Sequence, residues 1–192
     1  MGVTSKDRVL IVGLEYPTPL KRSVWPWLDR LGLLGKVDLE SPDPRPENVR
    51  GLQITPYICA RNRAVRDIIL PVADRYDWAL MINNDITPTE STAKFLDLDG
   101  DLLSCGCNYH RNPAAWAAPD SFHTALCCVR MEVFKLVPSP WFRYQYSADG
   151  CDVLGCDCAF FAAKAKALGF RIAHGGLCSH DHIGNKFCFP EG

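Results

Sequence analysis

Two uninterrupted apolar runs, Val9 to Val12 and Trp78 to Ile82, set the main constraint on how this chain can fold. A strand with one wet face alternates apolar and polar residues, whereas a run with no polar member has neighbours on both faces. Both runs are therefore expected as inner strands of a sheet covered by helices on each side. The first stops at Gly13 and turns at Pro17 and Pro19; the second stops on Asn83-Asn84-Asp85.

The segments between them carry helical signals. SVWPWLDRLGLLG predicts a helix with Pro26 in its first turn and Gly35 at its end. From Ala60 to Ala73 the residues Ala64, Val65, Ile68, Ile69 and Val72 recur at three- and four-residue steps, one face of a helix, with Pro71 marking a kink or boundary. TPTESTAKFLDL predicts a helix capped by Thr89, and DLLSCGCN a strand. TALCCVRMEVFKLV reads as a strand to Cys128 and then a short helix. CAFFAAKAKALGF reads as a helix capped by Asp157 and closed by Gly169, with RIAHG as a last strand. VDLESPDPRPENVRG and the stretch from Tyr109 to Phe122 read as loops. Strands alternating with helices predict an α/β chain with a mostly parallel central sheet. Its 192 residues suit one domain, 1–192, rather than two.

Charge narrows the function classes. With 21 basic and 22 acidic residues the net charge is -1, so no global field would hold nucleic acid or an anionic membrane. The apolar runs fall far short of the roughly 20 residues a membrane span needs, and the opening residues fit neither a secretory signal nor a myristoylation site. A cytoplasmic location, with no membrane partner, is the expectation. Ten cysteines would suggest disulfides in a secreted chain, but Cys59, Cys105, Cys107, Cys127 and Cys128 lie in apolar segments, where a reduced thiol acts as a small hydrophobe.

The polar end of the second run carries the chemistry. Ligands of open α/β sheets bind beyond the carboxyl ends of strands, and oxygen donors such as Asn83, Asn84 and Asp85 suit a hard cation, Mg²⁺ or Mn²⁺. The plain alternative is a turn, since Asn and Asp commonly follow a strand and Pro88 comes next. In CSHDHIG an extended segment would put His180 and His182 on one face, able to complete a metal site begun at Asp85. Cys178, His180, His182 and Cys188 could instead hold a structural zinc, and a single histidine is commonly just buried and hydrogen-bonded. Asp157 reads equally as a helix cap and as a general base.

In this order the elements resemble the GT-A-fold glycosyltransferases, in particular the compact single-domain kind of bacteria and bacteriophages, over residues 8 to 184. VGLEYPTP stands where that family receives the nucleotide, which implies Gly13, Glu15 and Tyr16 as donor-site residues. Ala60-Arg61-Asn62 resembles the "ARN" that opens a helix before the metal strand, and Arg61 is implied at the diphosphate or the nucleotide loop. INNDITP resembles the D-x-D motif, with Asn83 in the first acidic position and Asp85 in the last. Cys156-Asp157 stands in place of the E-D whose Asp is the base of inverting members, and His182-Ile183-Gly184 resembles the H-x-G whose histidine joins the metal. TALCCVRMEVFKLVPSPWF resembles the segment closing the acceptor side, implying Trp141 and Phe142 there.

The resemblance implies transfer of a sugar from a nucleotide-diphosphate donor, with a uridine-linked donor expected, to a hydroxyl acceptor. Asp85 and His182 would hold Mn²⁺ or Mg²⁺, Asn83 and Asn84 would face the donor, and Asp157 would act as base or orient a substrate. Phage enzymes of this kind glycosylate hydroxymethylated pyrimidines in DNA, so modified DNA is one expected acceptor. Arg111, Arg130 and Arg143 could then form a basic rim, and Trp116, Tyr144 and Tyr146 could stack on a sugar or base. Two rivals stay open: a nucleotidyltransferase, for which EYPTPLKR is a poor Gly-rich loop, and a non-catalytic zinc-stabilised module.

Overall fold

The computed structural model describes residues 2–15, 19–35, 48–52, 57–107 and 122–180. Tyr16, Arg111, Trp116, His182 and Cys188 lie outside the described residues, as does the side chain of His180. In chain order the elements are β1 (Val9–Leu14), α1 (Val24–Arg30), β2 (Val49–Leu52), α2 (Tyr57–Arg63), β3 (Trp78–Asn83), β4 (Ile86–Pro88), β5 (Leu102–Cys107), β6 (Leu126–Arg130), α3 (Met131–Leu136), β7 (Gln145–Tyr146), β8 (Val153–Gly155), α4 (Asp157–Ala167) and β9 (Ile172–His180). A π-helical turn, Ala64–Ile69, and a 3-10 turn, Leu70–Val72, prolong α2; a 3-10 helix spans Thr92–Asp97.

Seven strands form one sheet in the order β2-β1-β3-β6-β5-β9-β4, and β7 and β8 form a separate hairpin. The two long apolar runs are inner strands, as expected, and every residue of β1 and β3 is buried. Alternation along them feeds two cores. Leu10, Val12, Ala79 and Met81 join α2, α3 and α4 on one face. Val9, Ile11, Trp78, Leu80 and Ile82 join α1 and the 3-10 helix on the other.

The expectation of a mostly parallel sheet is corrected. β1 pairs in parallel with β2 and β3, and β5 with β9, but β6 runs antiparallel to both β3 and β5, and β4 antiparallel to β9. A strand buried on both faces by helices has the same composition whichever way it runs, so the apolar run at β6 carried no sign of its direction. Helix ends also differ. Asp157 is the first residue of α4 rather than its cap; the cap is Cys156, whose Sγ accepts from the Ala159 N–H at 3.4 Å. Thr89 does not cap a helix: its hydroxyl donates to the Leu177 carbonyl at 2.6 Å, and the short 3-10 helix begins after Ser91. α1 turns off at Gly32, φ 64°, before Gly35. Cys59 is exposed, unlike Cys105, Cys127 and Cys128, which are buried.

β3 sits third in the sheet and β4 last, yet only Asn84 and Asp85 separate them. Three Cα steps reach at most about 11 Å, whereas four strand spacings in a flat sheet span about 19 Å. The sheet must therefore curl so that β4 comes round towards the end of β3. Lys21 Nζ adds a tie across that end, donating to Thr87 Oγ1 at 2.9 Å.

The bend has a backbone device in β9. Pairing with β5 slips between Cys105 and Gly106, passing over Gly176 at φ 70°, where a Cβ would meet the Ser91 carbonyl oxygen at 2.7 Å. Gly169, φ 86° just beyond α4, has open space around it. Gly169→Ala is expected to cost only the left-handed conformation, about 1–2 kcal/mol. Gly176→Ala should lose clearly more in urea unfolding, because the Ser91 backbone stands in the way.

Candidate functional site

Several of the buried polar residues gather where β1 and β3 end. Leu14 is paired with Asn83 in register, so both strands stop side by side, and Asn84 N–H donates to the Leu14 carbonyl at 3.1 Å. Glu15, Asn83, Asn84 and Asp85 are all buried there, none more than 5% exposed. Gly13 lies one residue back; a Cβ on it would press on Leu20 at 3.0 Å, so glycine lets the descending loop close over the strand end. Asn83 Oδ1 is buried and meets no hydrogen-bond donor among the described residues. An acceptor left in that state costs about 1–3 kcal/mol, a cost a folded chain tolerates chiefly where a ligand or water supplies the donor.

Two further elements reach the same place. Asn83 N–H donates to the Ala125 carbonyl at 2.9 Å, which sets the start of β6 against the end of β3. β9 arrives next to Asp85 in the chain: its last residue, His180, is paired with Ile86. The strand is longer than the RIAHG segment alone suggested and runs into CSH.

Asp157 enters from the first turn of α4. The helix is anchored by Phe161, whose ring lies 4.8, 5.5 and 5.8 Å from those of Phe142, Phe134 and Phe122. Thr124 Oγ1 lies 3.1 Å from Cys158 Sγ, so α4 starts beside the residue preceding Ala125. Asp157 Oδ2 accepts from Arg61 Nη1 in a buried ion pair joining α4 to α2. Burial pulls the Arg61 pKa down, but the charge and hydrogen bond of Asp157 more than offset this and leave it above its ordinary value. The neighbouring Asn62 holds the chain at Trp141 and Phe142: its Oδ1 accepts from both backbone N–H groups and its Nδ2 donates to the Phe142 carbonyl.

The sequence-derived candidates therefore sort by place. Gly13, Glu15, Asn83, Asn84 and Asp85 share one strand end, and Arg61 and Asp157 form a pair beside it. Trp141 and Phe142, expected towards an acceptor, have their side chains in the core. Arg130 lies over the Trp78 ring at 4.3 Å and pairs with Asp101 at 3.2 Å, while Arg143 lies over Phe160 at 5.1 Å. Cys178 is buried and its thiol donates to the Gly106 carbonyl at 3.3 Å.

Sequence reasoning passed over a second polar group. Ser104 Oγ and His174 Nδ1 are 2.9 Å apart, and the rings of His174 and His123 lie edge to face at 5.2 Å. Burial holds the His174 pKa below its ordinary value. The available signal was a single polar residue inside an apolar strand, Ser104 in LLSCGC and His174 in IAHG. It also missed the contrast among thiols. Burial pushes Cys127 up to about 12, whereas the Cys158 thiol and the Ala159 N–H, working against burial, bring Cys156 down to about 6.

No protein-family model matches the chain, and no curated protein matches it in sequence. Among solved structures the fold is similar to A197 from STIV, with a TM-score of 0.51 and 12% identity over 87% of this chain and 81% of that one. A second structure, described as a "putative nucleotide-diphospho-sugar transferase" from Desulfovibrio desulfuricans G20, superposes at a TM-score of 0.44 with 14% identity, over 90% of this chain and 81% of that one. The first likeness is one of fold alone, and the second is too loose to carry an argument. No helix among the described residues is long and apolar enough to cross a membrane.

Proposed function

We propose that this chain is a metal-dependent glycosyltransferase that moves a sugar from a nucleotide-diphosphate donor, with a uridine-linked donor the first to test, to a hydroxyl acceptor. One observation carries the reading: β9 ends at His180 opposite Ile86, beside a buried strand end that displays Glu15, Asn83, Asn84 and Asp85. Parallel strands β1 and β3 ending together form the kind of crevice in which α/β sheets take nucleotides. The resemblance of INNDITP to a D-x-D motif and of HIG to an H-x-G motif falls on the two segments flanking that pairing.

A hard cation fits the donors present, because the Asp85 carboxylate and the Asn83 Oδ1 are oxygen ligands, and Asn83 Oδ1 is buried with no described donor. Asp85, with His182 from the segment after β9, would hold Mn²⁺ or Mg²⁺. Once bound, the ion would offset charge growing on the leaving diphosphate. Asn83 and Asn84 would bind the donor's hydroxyls, and Glu15 with Tyr16 would line the nucleoside side next to Gly13. Arg61 fixes the Asp157 carboxylate in one orientation, and its other oxygen, Oδ1, would take the proton of an attacking hydroxyl in an inverting transfer. In a retaining transfer the same pair would position the acceptor. Trp141 and Phe142 would support the acceptor wall from within, through the backbone that Asn62 holds. Hydroxymethylpyrimidine in phage DNA is one acceptor to include.

The test is donor hydrolysis across a set of sugar nucleotides, with and without Mn²⁺, in protein whose thermal unfolding is followed alongside. Asp85→Ala is expected to lower cation-stimulated hydrolysis by about 10²-fold or more while leaving the fold intact. Unchanged activity in that variant would remove Asp85 from the site. With an acceptor in hand, Asp157→Asn should lower transfer by roughly 10²–10⁴-fold if Asp157 is the base. A rise in KM alone would assign it to positioning.

A further inference from the structure

Cys156, Asp157 and Cys158 open α4, and one ligand atom from each lies within 4.8 Å of the other two. Around a tetrahedral zinc, sulfur at about 2.3 Å and oxygen at about 2.0–2.2 Å leave donors roughly 3.5 Å apart. Small side-chain rotations would bring the three atoms to that spacing.

A second, independent observation concerns what surrounds the donors. Each of the three has its own hydrogen-bond partner from outside the group. The Ala159 N–H donates to Cys156 Sγ at 3.4 Å, Thr124 Oγ1 lies 3.1 Å from Cys158 Sγ, and Arg61 Nη1 donates to Asp157 Oδ2. Outer hydrogen bonds of this kind orient metal ligands and temper the charge of coordinating thiolates. The arrangement leaves Asp157 Oδ1, 3.7 Å from Cys158 Sγ, as the oxygen not engaged by Arg61 Nη1. Cys156 and Cys158 are partly exposed and Asp157 is buried, so an ion can enter from solvent while the carboxylate stays fixed.

From this geometry we infer that Cys156, Asp157 and Cys158 form a zinc site of two sulfurs and one oxygen, separate from the hard-cation site at Asp85. Two thiolates select a soft or borderline metal, Zn²⁺ over Mg²⁺ or Mn²⁺. Three protein ligands leave a fourth position open to water or a ligand. Each ligating thiol gives up its proton to solvent as the sulfur–zinc bond forms. The site stands without the sugar-transfer reading, since zinc binding needs no donor substrate. If both hold, zinc on Asp157 Oδ1 and proton transfer to that oxygen exclude one another in a single molecule.

The experiment uses the whole protein, stripped with a chelator and kept reduced, and titrated with Zn²⁺ alone. Iodoacetamide labelling with peptide mass mapping then reads each thiol. Zinc is expected to protect Cys156 and Cys158 and to leave the exposed Cys59 and Cys151 reactive. Cys156→Ser and Cys158→Ser should each weaken zinc binding at least about 10²-fold, whereas His182→Ala/Cys188→Ser should keep this site. Co²⁺ in place of zinc should show sulfur-to-metal charge transfer in the unmutated protein, a readout that does not depend on either variant folding. Absence of zinc binding, or zinc that leaves Cys156 and Cys158 fully reactive, overturns the proposal.

Discussion

Everything at the candidate site depends on two backbone hydrogen bonds made by the residues that leave β3. Asn83 N–H reaches the Ala125 carbonyl and Asn84 N–H reaches the Leu14 carbonyl. Together they seal the end of β3 to β6 on one side and to β1 on the other. Without them, three polar side chains at the end of an apolar strand would turn out to water, as such residues do in an ordinary loop. With them, the backbone is satisfied internally and the side chains are forced inwards. Burying carboxylate and carboxamide groups is costly unless each finds a partner, and that cost is what makes this strand end different from a turn.

The same economy of partners runs through the rest of the site. Arg61 and Asp157 stand 96 residues apart in sequence and are both buried, so each is tolerable only because of the other. Asn62, next along the helix, holds the Trp141–Phe142 backbone through both ends of its amide, while its Nδ2 also donates to the Ile58 carbonyl. Two adjacent residues of α2 thus fix both α4 and the segment leading to the β7–β8 hairpin. Phe161 completes the attachment by ring packing, which holds the helix without directing it; the polar bonds supply the direction.

How much of this could be read from the sequence follows from what kind of force set each feature. Burial on both faces left a pattern in single segments, so β1 and β3 were legible as inner strands. Gly169 was legible for a different reason: a helix ending in a left-handed residue selects glycine. Strand direction left no pattern, and a mostly parallel sheet was expected where β6 and β4 run antiparallel to their neighbours. Pairings between distant polar residues were equally hidden, because Arg61 and Asp157 each look ordinary in their own segment. The strand end at 83–85 was visible because a polar cluster directly after an apolar run is a local anomaly. His123, His174 and Ser104 left a far fainter mark, one polar residue in each segment rather than a cluster. Cys59 shows the limit of the rule for thiols: an apolar neighbourhood in sequence predicts burial only when the helix face is also known.

Among the described residues β9 lies between β5 and β4, and β4 occupies the edge of the sheet with β9 alone beside it. During synthesis β4 therefore waits, unpaired, until residues some ninety positions downstream have emerged, as the Ile86–His180 pairing requires. A ribosome-bound chain can assemble β1, β2 and β3 early, but the curled half of the sheet closes only afterwards. Loop-closure entropy makes such distant pairings slow. The chain thus completes its sheet at a late step of folding.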